Sequence, residues 1–282
     1  MTPFPYVRTA LACLLLAPSP LQAQSWVSFS VSLDSGQPGN TYTGFHEGGA
    51  GVNSVYAIGF QAQITDVDGT AYAMDPLVTF CTELAEPISV SSYTFHLAPM
   101  QLAAAGRAGE AGTASSGIPA GGIGNLRAAR AQWLFDHFAP SEILSDWTYI
   151  SSQPLTQAFQ LALWEVTHDS DLSLSSTSGD IYVGTQSNTT RNNAIKLAQS
   201  WLNQLSTANI DETYEAQNYH LWVLINESGN PDNGYGYQDI LIASRIGSTN
   251  DGVIVEHIDL VPEPEVALLG GIGLLLVLRR RR

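Results

Sequence analysis

Between Trp26 and Leu33 the chain alternates, Trp26-Val27-Ser28-Phe29-Ser30-Val31-Ser32-Leu33, so every second side chain falls on one face of an extended strand. Val55 to Ile64 and Leu77 to Cys81 are rich in β-forming residues between Gly, Asp and Pro breaks, and Tyr93 to Leu97 reads as a further strand. Residues 25–100 are therefore expected to form a β region, with Asp66-Val67-Asp68-Gly69 as a hairpin turn. Residues 106–124 carry Gly, Ala and Ser without periodicity, the composition of a loop. Beyond them the period changes. Leu126, Ala129, Trp133, Leu134 and Phe138 recur at helical spacing up to Pro140. Pro154 then opens a second helix, Leu155 to Thr167, with Leu155, Phe159, Ala162, Leu163 and Val166 on one stripe. After a Ser-rich loop, Thr190 to Leu205 repeats the pattern around Ala198, Trp201, Leu202 and Leu205. Strands return at Tyr219 to Ile225 and Ile240 to Ile246, around the turn sequence Asn230-Pro231-Asp232-Asn233-Gly234. A β region, a helical stretch (126–205) and returning strands (219–246) predict an α+β fold: a β sandwich or barrel with an inserted three-helix region.

The two ends do not belong to that domain. Residues 1–23 run from a single basic residue, Arg8, through the apolar Ala10 to Ala17, to Pro18, Pro20 and Ala23, the layout of a secretion signal cut after Ala23. Cys13 is not a lipobox cysteine, because apolar residues continue beyond it. Residues 259–282 contain Pro262-Glu263-Pro264, an apolar stretch from Val266 to Leu278 and four consecutive arginines. That stretch is shorter than the roughly 20 residues that comfortably span a bilayer, yet it can pause there with the arginines on the cytoplasmic side. The segment resembles the PEP-CTERM sorting signal of Gram-negative bacteria. The resemblance implies an exosortase-type processing enzyme as partner, transient membrane association through the tail as a short apolar helix, and a cell-surface or extracellular destination. An ordinary tail anchor is the alternative. The folded domain is expected to span residues 24–258.

Between Gln24 and Pro262 there remain six Lys and Arg against twenty-four Asp and Glu, about eighteen negative charges. Such a surface repels nucleic acid and anionic lipid, so neither is an expected partner. At 44% apolar and 13% charged residues the composition is that of a folded chain. The two cysteines are Cys13 and Cys81, and Cys13 leaves with the signal, so an oxidising compartment receives one thiol with no partner in its own chain.

Around that thiol the sequence is Val78-Thr79-Phe80-Cys81-Thr82-Glu83, an aromatic residue directly before the cysteine at a strand end. On the second helix it is Thr156-Gln157-Ala158-Phe159-Gln160-Leu161-Ala162-Leu163-Trp164-Glu165-Val166. Together these resemble the thioester domains of bacterial surface adhesins, whose signatures are an aromatic-or-leucine-Cys near a strand and an apolar-Gln-x-x-apolar-Trp helix. The resemblance spans roughly Leu77 to Leu205. It implies a bond between the Cys81 sulfur and the Gln160 side-chain carbonyl, formed with loss of ammonia. Thr82 departs from the family, which usually has an apolar residue after the cysteine, and so does the sorting tail, since the adhesins are displayed by a Gram-positive wall signal.

The chemistry follows from the residues as well. A thiolate is the best side-chain nucleophile near neutral pH, and it attacks a carboxamide held at contact distance with water excluded. Gln160 lies roughly 100° from the centre of its helix stripe, at the edge, with Trp164 one turn later as a shield. Phe80 is the second candidate shield, and His168, two turns on, is a candidate proton carrier. An incoming primary amine would displace sulfur and leave an amide, so the protein is expected to be a one-shot covalent binder of amine-bearing surfaces or matrix, not an enzyme. Lys196 is the single lysine, which suits a chain carrying an amine-reactive bond and equally suits a GC-rich genome. The unreactive alternative makes Cys81 a small buried hydrophobe and Gln160 a backbone-bonded helix residue, in a structural biofilm or exopolysaccharide-matrix protein. A secreted hydrolase is the third reading, for which no catalytic set emerges. His46, His96, His137, His168, His220 and His257 show no metal-ligand spacing, Asp66-Val67-Asp68-Gly69 lacks the distal glutamate of a calcium loop, and no cofactor is expected.

Overall fold

The computed structural model describes residues 28–34, 40–47, 50–57, 59–72, 77–82, 92–103, 122–139, 154–169, 171–175, 181–225, 239–248, 251 and 254. The expected secretion signal, the Pro262-Glu263-Pro264 tail, the turn at 230–234 and most of the Gly/Ala loop lie outside the described residues. Strands β1 (Ser28–Asp34), β4 (Gly59–Val67), β6 (Leu77–Cys81), β7 (Ser92–Pro99), β9 (Tyr219–Ile225) and β10 (Ile240–Arg245) form one antiparallel sheet. Its order is β1-β7-β9-β10-β6-β4, and β4 pairs back onto β1, which closes a six-stranded barrel. Of the two architectures expected from the sequence, the barrel is realised. Closure removes the exposed sheet edges that a sandwich would leave.

Alternation sorts the barrel residues. Phe29, Val31, Ile64, Phe95, Leu224 and Ile242 fill the interior, while Leu221, Val223, Leu241 and Ala243 pack outward against the helices. The Asp66–Gly69 turn is the expected hairpin. Val67 pairs with Thr70 of β5 (Thr70–Ala71), Asp68 and Gly69 both take positive φ (49° and 78°), and Gly69 N–H donates to Asp66 Oδ1 at 2.7 Å.

Two strands were not legible as such. The run Val55 to Ile64 is split: β3 (Ala50–Ala57) belongs to a second sheet, and the chain passes into the barrel only at Gly59. That second sheet has the order β3-β2-β8, with β2 spanning Asn40–Glu47 and β8 (Ile181–Val183) lying in the segment expected to be a Ser-rich loop. β8 is three residues long and pairs through Phe45↔Val183, so its conformation is set by its partner strand and not by its own pattern.

The three expected helices are present between β7 and β9: α1 (Gly124–Phe138), α2 (Pro154–His168) and α3 (Thr189–Ala208). Asn188 caps α3, its side chain accepting from Thr190 N–H at 2.7 Å, and Asn209 ends the helix in the left-handed conformation. No helix among the described residues is long and apolar enough to cross a membrane.

Candidate functional site

Helix α2 is enclosed on every side. It packs against α1 and α3, against β4 and β6 of the barrel wall and against β3 and β8 of the small sheet, and every residue from Thr156 to His168 is buried. The expectation of an amphipathic helix with Gln160 at the edge of its apolar stripe is therefore corrected. The stripe read from Leu155 to Val166 marked one of several buried faces, because the small sheet covers the side that would otherwise meet water. Polar side chains on this helix must find partners inside the protein.

Gln160, 0% exposed, finds them on Cys81. Cys81 N–H donates to Gln160 Oε1 at 3.0 Å, and Gln160 Nε2 donates to the Cys81 carbonyl at 2.8 Å. The strand topology explains why both backbone groups are available. On one side of β6, Cys81 pairs with Ile240, and Thr82 N–H continues the ladder to the Asp239 carbonyl at 3.1 Å. On the other side the pairing with β4 ends at Gly59↔Phe80, since the chain before Gly59 has left for the small sheet. Gln160 occupies the place a strand neighbour of Cys81 would fill. The thiol, itself 3% exposed and in no disulfide, is thus carried on the Cα that lies between the two contacts holding the carboxamide.

Phenyl rings set this alignment. Phe80 and Phe159, the residues directly before Cys81 and Gln160, meet with centroids 4.8 Å apart, and Phe135 of α1 closes a triangle at 6.3 Å and 5.1 Å. Their packing fixes β6 against α2 in the register that brings residue 81 to residue 160. Phe80, expected as a shield, packs its ring against Phe159 and Phe135. Trp164 is 2% exposed within the same core cluster, which excludes water from the neighbourhood.

His168 also reaches this strand end, though one residue on: its Nε2 lies 2.8 Å from the Thr82 carbonyl. Thr82 Oγ1 donates to the Asp239 carbonyl at 3.0 Å, so the threonine that departs from the family pattern ties β6 to the start of β10. Tyr42 of β2 donates from its hydroxyl to Gln157 Oε1 at 2.7 Å, one turn before Gln160, and burial pushes that hydroxyl well above the usual tyrosine range. It therefore stays a donor. Lys196 is exposed on α3.

Chemically, the arrangement holds a carboxamide carbonyl against one N–H donor while presenting a thiol on the same residue. A donor aimed at a carbonyl oxygen stabilises negative charge that develops there on nucleophilic attack. With solvent excluded, the same donor is more effective than in water.

Two solved structures resemble the chain in outline. The N-terminal domain of the Streptococcus pyogenes pilus tip adhesin Cpa matches at 16% identity and TM-score 0.35, over 81% of this chain and 97% of that one. The N-terminal thioester domain of the fibronectin-binding protein SfbI from Streptococcus pyogenes matches at 13% identity and TM-score 0.33, over 73% and 93%. No protein-family model and no curated protein matches the sequence.

The sequence reading missed Tyr42, Gln157 and an acidic group at the end of α2. Glu165, Asp169 and Asp171 bring carboxylate oxygens within 4.8 Å of one another, the one group among the described residues with the makings of a metal centre. Burial, and then the neighbouring Asp169 and Asp171 charges, push the Glu165 carboxyl up to about 9 against the opposing Ser173 N–H. The Asp169-x-Asp171-x-Ser173 spacing was its only sequence signal.

Proposed function

We propose that this chain is an exported surface or extracellular-matrix protein whose Cys81–Gln160 pair forms an internal thioester that captures amines. The observation that carries the reading is the double hydrogen bond between the Gln160 carboxamide and the backbone of Cys81. Sulfur attacks the Gln160 carboxamide carbon, and the Cys81 N–H steadies the oxygen as it takes up charge. The carbon–nitrogen bond breaks, and the nitrogen departs as ammonia with the proton the thiol gave up. A primary amine on a target then adds to the same carbon, the carbon–sulfur bond breaks, and the thiol returns while an amide links target to protein. Each molecule reacts once, so the protein is a covalent binder and not a turnover catalyst. Secretion and the Pro262-Glu263-Pro264 tail serve display at the surface or release after exosortase-type processing.

Intact mass and thiol titration test this. Protein purified under mild conditions should be lighter than its processed sequence by one ammonia and should yield no thiol on unfolding. Methylamine should restore one thiol and add its full mass, because its nitrogen forms the amide and its proton goes to the released sulfur. Full sequence mass with one titratable thiol would leave the pair as core packing and make the protein a structural matrix component.

A further inference from the structure

The acidic group at the end of α2 lies outside that chemistry. Glu165 is fully buried: Oε1 accepts from Ser173 N–H at 2.7 Å, while Oε2 has no hydrogen-bond partner. The side-chain neighbour of this carboxyl is the carboxyl of Asp171. A buried carboxylate grouped with two further carboxylates costs several kcal/mol unless a proton or a cation lies between them.

The rest of the geometry favours a cation. Asp169 Oδ1 accepts from Asp171 N–H at 3.3 Å and its Oδ2 from Ile181 N–H at 3.1 Å, while Asp171 Oδ1 accepts from Ser173 N–H at 2.9 Å. Backbone donors thus hold the three carboxylates in place, with one oxygen of each converging. Two oxygens bound to one calcium at about 2.4 Å are at most about 4.8 Å apart, and the three carboxylates meet that limit. All the donors are hard oxygens, with no imidazole or thiolate among them, which selects calcium-class ions over zinc or copper. Alternate-residue spacing, Asp169, Asp171, Ser173, is also how calcium loops present successive ligands. Asp171 is exposed, so an ion and its remaining water ligands have a way in.

We infer that Glu165, Asp169 and Asp171 form a calcium site that fastens the C-terminal end of α2 to the following loop and to β8. The ion ties down the helix that also carries His168 and, further back, Gln160. It does not touch Cys81, so the site stands or falls independently of the thioester.

Calorimetric titration of the full exported chain with calcium chloride, after chelator treatment, tests this. One ion should bind per chain, terbium should compete for the site, and saturating calcium should raise the melting temperature. Asp171→Asn, at an exposed position that leaves the core untouched, should weaken binding at least tenfold and abolish most of the thermal shift, and Glu165→Gln should do the same. Cys81→Ala should bind calcium as the parent does. Absence of saturable binding at millimolar calcium, or binding undiminished in Asp171→Asn, would overturn the assignment and leave a proton shared between Glu165 and Asp171.

Discussion

Removing the Gln160 side chain should separate its two roles. A thioester between positions 79 residues apart closes a loop that, by the chain-entropy relation, stabilises the fold by about 4.5 kcal/mol. Cys81→Ala loses that link and a small buried side chain worth about 1 kcal/mol, but keeps the carboxamide bonded to the backbone of residue 81. Gln160→Ala loses the link and leaves a buried N–H and a buried carbonyl without partners, each costing about 1–3 kcal/mol. The comparison is cleanest between Cys81→Ala and the double variant Cys81→Ala/Gln160→Ala, since neither can cross-link. The double variant should be less stable by about 2–6 kcal/mol. Urea unfolding followed by the fluorescence of the buried Trp133, Trp164 and Trp201 measures the difference. Equal stability of these two variants would refute the carboxamide clamp. A parent protein only about 1 kcal/mol more stable than Cys81→Ala would refute the cross-link.

Phe159→Ala should cost about 3–5 kcal/mol and slow loss of ammonia, read by mass against time after refolding, because the ring that aligns α2 with β6 is gone. In calcium-free protein, Glu165 carries a carboxyl raised from 4.5 to about 9, so its contribution to stability is complete below pH 4.5 and is lost as pH rises towards 9. At pH 7 the loss is roughly 3 kcal/mol, and Glu165→Gln should flatten this part of the stability profile in chelator. Asp136 accepts from the backbone N–H groups of Gln217, Asn218 and Tyr219 at 3.0, 2.9 and 3.3 Å, so Asp136→Ala should loosen the entry to β9 by about 2–3 kcal/mol. The Tyr214 hydroxyl, pushed up to about 12 by burial and then by Asp136, should titrate at lower pH in that variant, followed by ultraviolet difference absorbance.

The helices and most of the barrel are legible along the chain. Their residues repeat with the period of the element they form, and Pro154 marks where α2 begins. Phe80-Cys81 and Phe159-Gln160 also stood out as motifs, because an aromatic before each polar residue is visible in one dimension. How those motifs meet is set by the path of the folded chain. The chain changes sheets between Ala57 and Gly59, which ends β4 one residue short of Cys81 and leaves a backbone edge for Gln160 to fill. A run of β-formers reads alike whether one sheet or two receive it, so that switch has no local signal. The burial of Gln160 and Glu165 was hidden for a related reason: α2 is covered on its remaining side by β2, β3 and β8, and a short strand placed by its partners leaves no periodicity to read.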